Sequence, residues 1–183
     1  MKDLAFIDLE TTGLDSEFYE IIEIGVIRVN PKNMRIIQEL SLRVKPEYIE
    51  RADPRALIVN GYSEDMWEYA QPLAKALDNI RHCITGTILA GHNVQFDKAF
   101  LEAAYRKTGI PREDFDYHVF DTATLAWPLY AKGLISSLQL DSLCKYFHIE
   151  RKKPHRALDD AHISFRIAKC LLDYMMHWDK RNE

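Results

Sequence analysis

Two carboxylates stand two positions apart in the apolar run FIDLETTGL, residues 6–14. In a β-strand alternate side chains share a face, so Phe6, Asp8 and Glu10 point to the same side of the sheet. Two like charges on one face repel each other, and in a central strand they also resist burial. A basic side chain, solvent at a sheet edge or a divalent cation must therefore compensate Asp8 and Glu10.

A third carboxylate, Asp97, lies near the start of a helix that the sequence predicts over residues 93–109. We predict Asn93 as the N-cap of this helix and Gly109 near its end. Ligands of open α/β sheets gather at the carboxyl ends of strands, and the helix follows such a strand. The alternative is that Asp97 only complements the helix dipole.

The segment HRALDDAHISFRIAKCLLDYM, which begins at His155, distinguishes two neighbouring aspartates. Advancing about 100° per residue from Ala157 places small and apolar residues on one side of a helix. These residues are Ala161, Ser164, Ala168, Leu171, Leu172 and Met175. Asp160 then borders the packed side, whereas Asp159 points to water. A helix that begins just after His155 would leave the imidazole free to turn toward Asp160, the alternative being an exposed loop histidine.

Four carboxylates and one histidine together predict hydrolysis of a phosphodiester. Oxygen ligands without cysteine or several histidines suit hard cations such as Mg²⁺ or Mn²⁺ and not zinc. Two such ions can bind the attacking and leaving oxygens of an in-line phosphoryl displacement. A histidine can take the proton from the attacking water near neutral pH. The spacing gives this metal-dependent hypothesis without indicating polarity or substrate.

The elements that must position these residues are strands followed by alternating strands and helices. We predict strands over 4–10, 21–30 and 36–44, with connections short enough for antiparallel neighbours. Further strands over 87–91 and 117–122 alternate with helices. This order predicts an α/β fold whose mixed central sheet, a three-strand antiparallel meander plus two parallel strands, is flanked by helices.

Composition agrees with a single domain over residues 1–183, with a hydrophobic fraction of 47% and a charged fraction of 28%. No signal-peptide pattern and no long apolar run occurs, which predicts a cytoplasmic protein without a membrane partner. The net charge of −4 gives no global attraction to nucleic acid, although a local basic patch or a bound metal can supply it. The three cysteines, Cys83, Cys144 and Cys170, are predicted to be small buried hydrophobes.

Four stretches of the chain together resemble the three exonuclease motifs of the DEDDh branch of the DnaQ-like family. They are FIDLETTGL, EIIEIG at 20–25, GHNVQFD at 91–97 and HRALDDA at 155–161. That branch includes the proofreading subunit of bacterial DNA polymerase III, oligoribonuclease and ribonuclease T. The resemblance implies a ribonuclease H-like fold and 3′→5′ exonucleolysis that releases nucleoside 5′-monophosphates with two Mg²⁺ or Mn²⁺ ions.

The resemblance also implies roles for individual residues. His155 would be the general base, and the metal ligands would be Asp8, Glu10, Asp97 and Asp160. Contacts to the terminal nucleotide would come from Thr11, Thr12, Gly13 and Leu14. Asn93 matches the residue that supports the third motif. Tyr62, in Asn60-Gly61-Tyr62, replaces the usual aliphatic residue over the terminal base, and an aromatic ring can stack on any base.

The substrate and the partners stay open at the level of sequence. Single-stranded DNA 3′ ends are the leading prediction and RNA ends the alternative, because no residue is identified that distinguishes the 2′-OH. A non-catalytic nucleic-acid-binding module is a third hypothesis, which the retained carboxylates and His155 oppose. Basic residues around His155 would contact substrate phosphates or form a solvated loop. They are Arg151, Lys152, Lys153 and Arg156. No polymerase partner is indicated.

Overall fold

A computed structural model of the chain describes residues 1–112, 114–151 and 155–176. One sheet has the strand order β3-β2-β1-β4-β5. Its strands are β1 (Leu4–Thr11), β2 (Ile21–Asn30), β3 (Arg35–Arg43), β4 (Ile88–Gly91) and β5 (Val119–Asp121). The first three strands pair antiparallel, whereas β4 pairs parallel with β1 and β5 parallel with β4. The predicted mixed sheet is confirmed.

Helices connect the strands and cover both faces of the sheet. They are α1 (Pro54–Asn60), α2 (Leu73–Ile84), α3 (Gln95–Thr108), α4 (Thr122–Leu125), α5 (Trp127–Ala131), α6 (Leu140–Tyr146) and α7 (Ala157–Met176). Short 3₁₀ turns occupy Ile49–Arg51 and Asp65–Trp67. Among the residues described, no helix combines the length and the apolar character that crossing a membrane requires.

The central strand β1 is buried on both faces, as its position next to parallel β4 requires. Ile7 and Leu9 point into a core built with α2 and α3. Phe6 points the other way, toward α7, where its ring centroid lies 5.4 Å from that of Phe165. The same alternation directs Asp8 and Glu10 to the α7 side.

Helix α7 starts against the backbone of β2. A side chain at Gly25 would bring its Cβ within 2.2 Å of the Ala157 carbonyl carbon, so only glycine allows this approach. Gly25 pairs with Asp8 in the β1–β2 register. The close contact therefore holds the first turn of α7 beside the carboxylates of β1.

The predicted phase of α7 is confirmed at the two aspartates, because Asp160 is buried and Asp159 is exposed. Its packed side holds Ala157, Ala161, Ser164, Ala168 and Leu171. The prediction is wrong for Met175, which is 40% exposed in the last turn of the described helix. Of the three cysteines, which are all free thiols, Cys83 and Cys144 are buried and Cys170 is partly buried.

Strand β1 extends beyond its parallel neighbour. β4 pairs only with the segment from Leu4 to Phe6, so the second half of β1 has no strand partner on that side. Helix α3 begins after β4 with Val94 as its N-cap. The prediction of Asn93 as N-cap is wrong, because Asn93 has φ +59°, a left-handed conformation unlike the extended one typical of N-caps. Its N–H instead donates to Asp121 Oδ1 at 3.1 Å.

Candidate active site

Asp8 and Glu10 lie side by side on the face of β1 that α7 covers. Glu10 is 9% exposed, and Asp8 keeps partial access to solvent. Across the antiparallel pair Glu10 faces Glu23 and Asp8 faces Gly25. Three carboxylates therefore crowd one face of the sheet, which is the arrangement that requires compensation.

Asp97 reaches the same place from the opposite layer. It is 4% exposed in the first turn of α3, and its Oδ1 accepts a hydrogen bond of 2.9 Å from the Leu9 N–H. This donor is available because β1 extends past β4 at that point. The stagger of the two strands thus fixes Asp97 beside the backbone between Asp8 and Glu10.

Asp160 is clamped by an arginine. Arg151 donates from Nε to Asp160 Oδ1 at 2.8 Å and from Nη2 to Asp160 Oδ2 at 2.6 Å. The His155 N–H donates to Oδ2 as well, at 2.9 Å. The buried Asp160 carboxylate is thereby held by the Arg151 side chain and by the backbone of His155.

The His155 side chain lies with the carboxylates. A ring nitrogen of His155 and a carboxylate oxygen from each of Glu10 and Asp160 lie within 4.8 Å of one another. His155 has φ +62°, a conformation that costs energy for a residue with a Cβ. Its N–H bond to Asp160 accompanies this turn, which precedes α7 and directs the imidazole inward.

Burial and mutual repulsion raise the pKa values of Asp8, Glu10 and Asp97. The pKa of Glu10 rises to about 8, first because of desolvation and then because of the charges on Asp160 and Glu23. Desolvation and the nearby Asp97 raise the pKa of Asp8 well above its usual range. Desolvation also raises the pKa of Asp97, against the Leu9 hydrogen bond, which lowers it. The cluster is therefore short of positive charge.

The donor set fits a hard divalent cation. We call Asp8, Glu10, Asp97 and Asp160 the carboxylate cluster, because their charges act on one another. Glu10, Asp160 and His155 have possible ligand atoms within 4.8 Å of one another, and Asp8 and Asp97 are not part of that close group. Carboxylate oxygens suit Mg²⁺ or Mn²⁺. A bound cation would favour the ionised forms that burial disfavours.

The segment that follows Glu10 is fixed by its own hydrogen bonds. The Thr11 hydroxyl donates to the Gly13 carbonyl at 2.7 Å, and the Thr12 hydroxyl accepts from the Glu20 N–H at 2.9 Å. A Cβ at Gly13 would lie 2.5 Å from the Tyr19 ring, so the backbone packs flat on that ring. Leu14 alone projects from the segment, with 83% of its surface exposed.

Asn60 connects this segment to Tyr62. Its Nδ2 donates to the Thr11 carbonyl at 3.1 Å, and its Oδ1 accepts from the Tyr62 N–H at 3.1 Å. The half-buried Tyr62 ring lies 5.1 Å from the Trp67 ring, centroid to centroid. Tyr62 is thus held beside the segment that follows Glu10, whereas the exposed Asn93 contributes a backbone contact to Asp121.

Two contacts that hold the site together, those of Glu23 and of Arg151, were not predicted from the sequence. The buried Glu23 accepts from the Ala157 N–H and lies 3.1 Å from Arg156 Nη2, so it fixes the start of α7. Arg151 and Arg156, for which the sequence leaves phosphate contact and a solvated loop open, each form an ion pair with a buried carboxylate. A charge at Glu23 inside an apolar strand was the available signal. Lys152 and Lys153 lie outside the described residues.

Residues 5–168 match the RNase_T family, whose members are described as exonucleases. The chain is 30% identical over 166 residues to the PolC-type DNA polymerase III of Caldanaerobacter subterraneus subsp. tengcongensis, and 32% identical over 165 residues to that of Listeria welshimeri. These matches cover 91% and 90% of this chain. The chain spans about 11% of the length of each of these relatives.

Solved structures show the same fold. Escherichia coli exonuclease I in complex with a dT13 oligonucleotide superposes with a TM-score of 0.79 at 18% identity, covering 100% of this chain and 43% of that chain. The nuclease domain of 3′hExo, a DEDDh family member bound to rAMP, gives 0.73 at 21% identity, covering 94% and 92%. The predicted ribonuclease H-like fold is confirmed. By its sequence match over residues 5–168, the chain belongs to the RNase_T exonucleases, the DnaQ-like family that its motifs predict.

Proposed function

We propose that this chain hydrolyses phosphodiester bonds at the 3′ end of single-stranded nucleic acid, with DNA preferred, and releases nucleoside 5′-monophosphates. The observation that supports it most is the meeting of the carboxylate cluster with His155. Strand β1, helix α3 and the start of α7 each contribute to this cluster. Carboxylates that lie so close together repel one another, and clusters with such raised pKa values are typical of catalytic sites.

The carboxylate cluster would hold two divalent ions, Mg²⁺ or Mn²⁺. When bound, these ions would stabilise negative charge on the attacking and leaving oxygens. Two contacts hold the carboxylate oxygens in place without an ion. The Leu9 N–H donates to Asp97, and the close packing of Gly25 against the start of α7 positions Asp160. Preorganised ligands avoid reorganisation during the reaction.

His155 would act as the general base. Its imidazole lies beside Glu10 and Asp160, so a water held in this place is within reach of a ring nitrogen. The neutral imidazole would take the proton of the attacking water. The contact of Glu23 with Arg156 and with the start of α7 supports the base indirectly, because it fixes the residues that follow His155.

The segment Thr11–Leu14 would bind the terminal nucleotide. Its backbone is held rigid, and the exposed Leu14 offers an apolar surface to a base or sugar. The half-buried Tyr62, connected to this segment through Asn60, would add an aromatic surface for the base. Similarity to DNA polymerases supports DNA as the substrate and proofreading or repair as the setting. The same chemistry on RNA is the alternative outcome of the test.

Matched single-stranded DNA and RNA oligomers with a 5′ label and added Mg²⁺ test this proposal. We expect stepwise shortening from the 3′ end that chelation abolishes and Mg²⁺ or Mn²⁺ restores, faster on DNA than on RNA. A blocked 3′ terminus should slow cleavage. Rapid cutting of a circular single strand would refute the polarity, and faster cleavage of RNA would refute the DNA preference.

The variants Asp160→Ala and Asp159→Ala form a matched pair for the same assay. They remove neighbouring carboxylates, of which only the first lies in the cluster. We expect Asp159→Ala to retain turnover and Asp160→Ala to lose it. Tight oligonucleotide binding without hydrolysis by the wild type, with either metal, would instead favour a non-catalytic module.

A further inference from the structure

Arg151 makes the most extensive side-chain contact with the carboxylate cluster. Its side chain is 14% exposed and donates to both oxygens of Asp160, whose side chain is 4% exposed. A third nitrogen, Nη1, donates to Asp141 Oδ1 at 2.8 Å. The guanidinium is therefore held between one buried carboxylate in the cluster and one exposed carboxylate outside it.

This contact uses most of the acceptor capacity of Asp160. A carboxylate oxygen offers two lone-pair directions. At Asp160, Oδ2 already accepts from Arg151 and from the His155 N–H, while Oδ1 accepts from Arg151 and has one direction left. A metal ion that ligates Asp160 must take that one direction or displace the guanidinium.

We propose that Arg151 is a positioning residue that competes with a divalent cation for Asp160 and holds the start of α7 in place until the cation binds. The inference rests on the proposed function, because it takes Asp160 to be a metal ligand. In the absence of metal the guanidinium partly compensates the buried negative charge. When a cation occupies the cluster, Arg151 loosens from Asp160, and the bond to Asp141, which helps to hold the guanidinium on Asp160, opposes this release.

Electrostatics determines the direction of this effect. A guanidinium and a divalent cation bound to the same carboxylate repel each other at short range, where the protein screens charge weakly. Arg151 therefore lowers the affinity for the cation and stabilises the metal-free protein. If Arg151 were only structural, its removal would lower the stability of the metal-free protein but would not raise the affinity for the cation.

The variant Arg151→Met tests both effects, because methionine keeps an unbranched chain and removes every donor. We expect calorimetric titration with Mn²⁺ to show affinity tighter by about tenfold, because the short-range repulsion between the guanidinium and the cation is removed. The melting temperature in chelator should fall. Arg151→Lys, which retains a charge, should bring both quantities back toward the wild type. Unchanged or weaker Mn²⁺ affinity in Arg151→Met would overturn the proposal.

A second pair of variants avoids any damage to the site. Asp141→Asn and Asp159→Asn each remove one exposed carboxylate, but only Asp141 contacts Arg151. Loss of negative charge alone would weaken Mn²⁺ binding in both. Release of Arg151 predicts the opposite sign for Asp141→Asn, a gain of about twofold, which is the scale of an exposed ion pair. Equal weakening in both variants would contradict the proposal.

The wild-type titration separates this inference from the proposed function. If the wild type binds no Mn²⁺ and shows no metal-dependent hydrolysis, the proposed function fails. If it binds Mn²⁺ and hydrolyses, but Arg151→Met binds no more tightly, only the role of Arg151 fails.

Discussion

The carboxylate cluster and the segment Thr11–Leu14 are adjacent in the chain but are built on opposite principles. The cluster concentrates like charges away from solvent, and the raised pKa values of Asp8, Glu10 and Asp97 show the cost in free energy. The segment contains no charge, and its polar groups at Thr11 and Thr12 are satisfied by hydrogen bonds. Its one exposed apolar side chain, Leu14, adds no repulsion.

This difference indicates that changes in the two regions should have distinct signatures. A change in the cluster alters the electrostatic energy of the folded state as well as any reaction, so stability and turnover change together. A change at Leu14 alters an exposed side chain, which contributes little to stability. Four measurements test this difference between the two regions.

The largest effect is expected at Asp97. The variant Asp97→Asn keeps an oxygen that can accept from the Leu9 N–H but loses the charge of a metal ligand. We expect kcat to fall on the order of 10³-fold, since metal stabilisation of the transition state supplies several kcal/mol. Steady-state kinetics with Mg²⁺, with circular dichroism as a check of folding, measures it. Asp159→Asn, which removes an exposed carboxylate, is the control. If Asp97→Asn kept more than about a tenth of the wild-type kcat, Asp97 would not be a metal ligand.

His155 should have the next largest effect. His155→Ala should lower kcat about 10²–10⁴-fold, the usual contribution of a positioned general base. Because the four carboxylates are the proposed ligands, the Mn²⁺ affinity measured by calorimetry should be unchanged. If Mn²⁺ binding were lost along with turnover, the imidazole would be a ligand, as its position near Glu10 and Asp160 also permits.

Leu14 should show the signature of the other region. Leu14→Ala should raise KM by roughly tenfold or less, since partial burial of an aliphatic side chain contributes about 1 kcal/mol. The melting temperature should not change, because the side chain is 83% exposed. Kinetics on single-stranded oligomers and thermal unfolding of the same preparation measure both quantities. A loss of stability without a change in KM would remove Leu14 from the substrate site.

The last measurement is the pH dependence of stability without metal, which involves no change in reaction rate. Because the pKa of Glu10 is raised to about 8 in the folded state, the protonated folded form is favoured at low pH. This contribution is complete below about 4.5 and is lost as the pH rises toward 8, on the order of a few kcal/mol. Thermal unfolding in chelator should therefore show a melting temperature that falls between about pH 5 and pH 8.

Glu10→Gln provides the control for this dependence. The variant should show a shallower slope, and added Mn²⁺ should flatten the slope in the wild type by favouring the ionised carboxylates. A melting temperature that rises with pH in chelator would show that the cluster is compensated by another group.

The succession of strands and helices along the chain, and the faces on which the site residues lie, could be predicted from local sequence patterns. Alternation in FIDLETTGL placed Asp8 and Glu10 on one face, and helical periodicity distinguished Asp160 from Asp159. These are local properties of a strand and a helix, set by repeats of 2 and 3.6 residues. The family motifs are also local, because each is a short stretch of the sequence.

The contacts that hold the carboxylates, and that offset their negative charge, are visible in the tertiary structure alone. The contact of Arg151 with Asp160 depends on the path of the chain between α6 and α7, and the contact of Leu9 with Asp97 depends on the stagger of β1 past β4. The left-handed backbone at Asn93, which excluded it as an N-cap, likewise follows from its bond to Asp121 on the neighbouring strand. Such long-range pairings leave no periodic signal in the sequence, because they arise between elements whose relative position is set by packing.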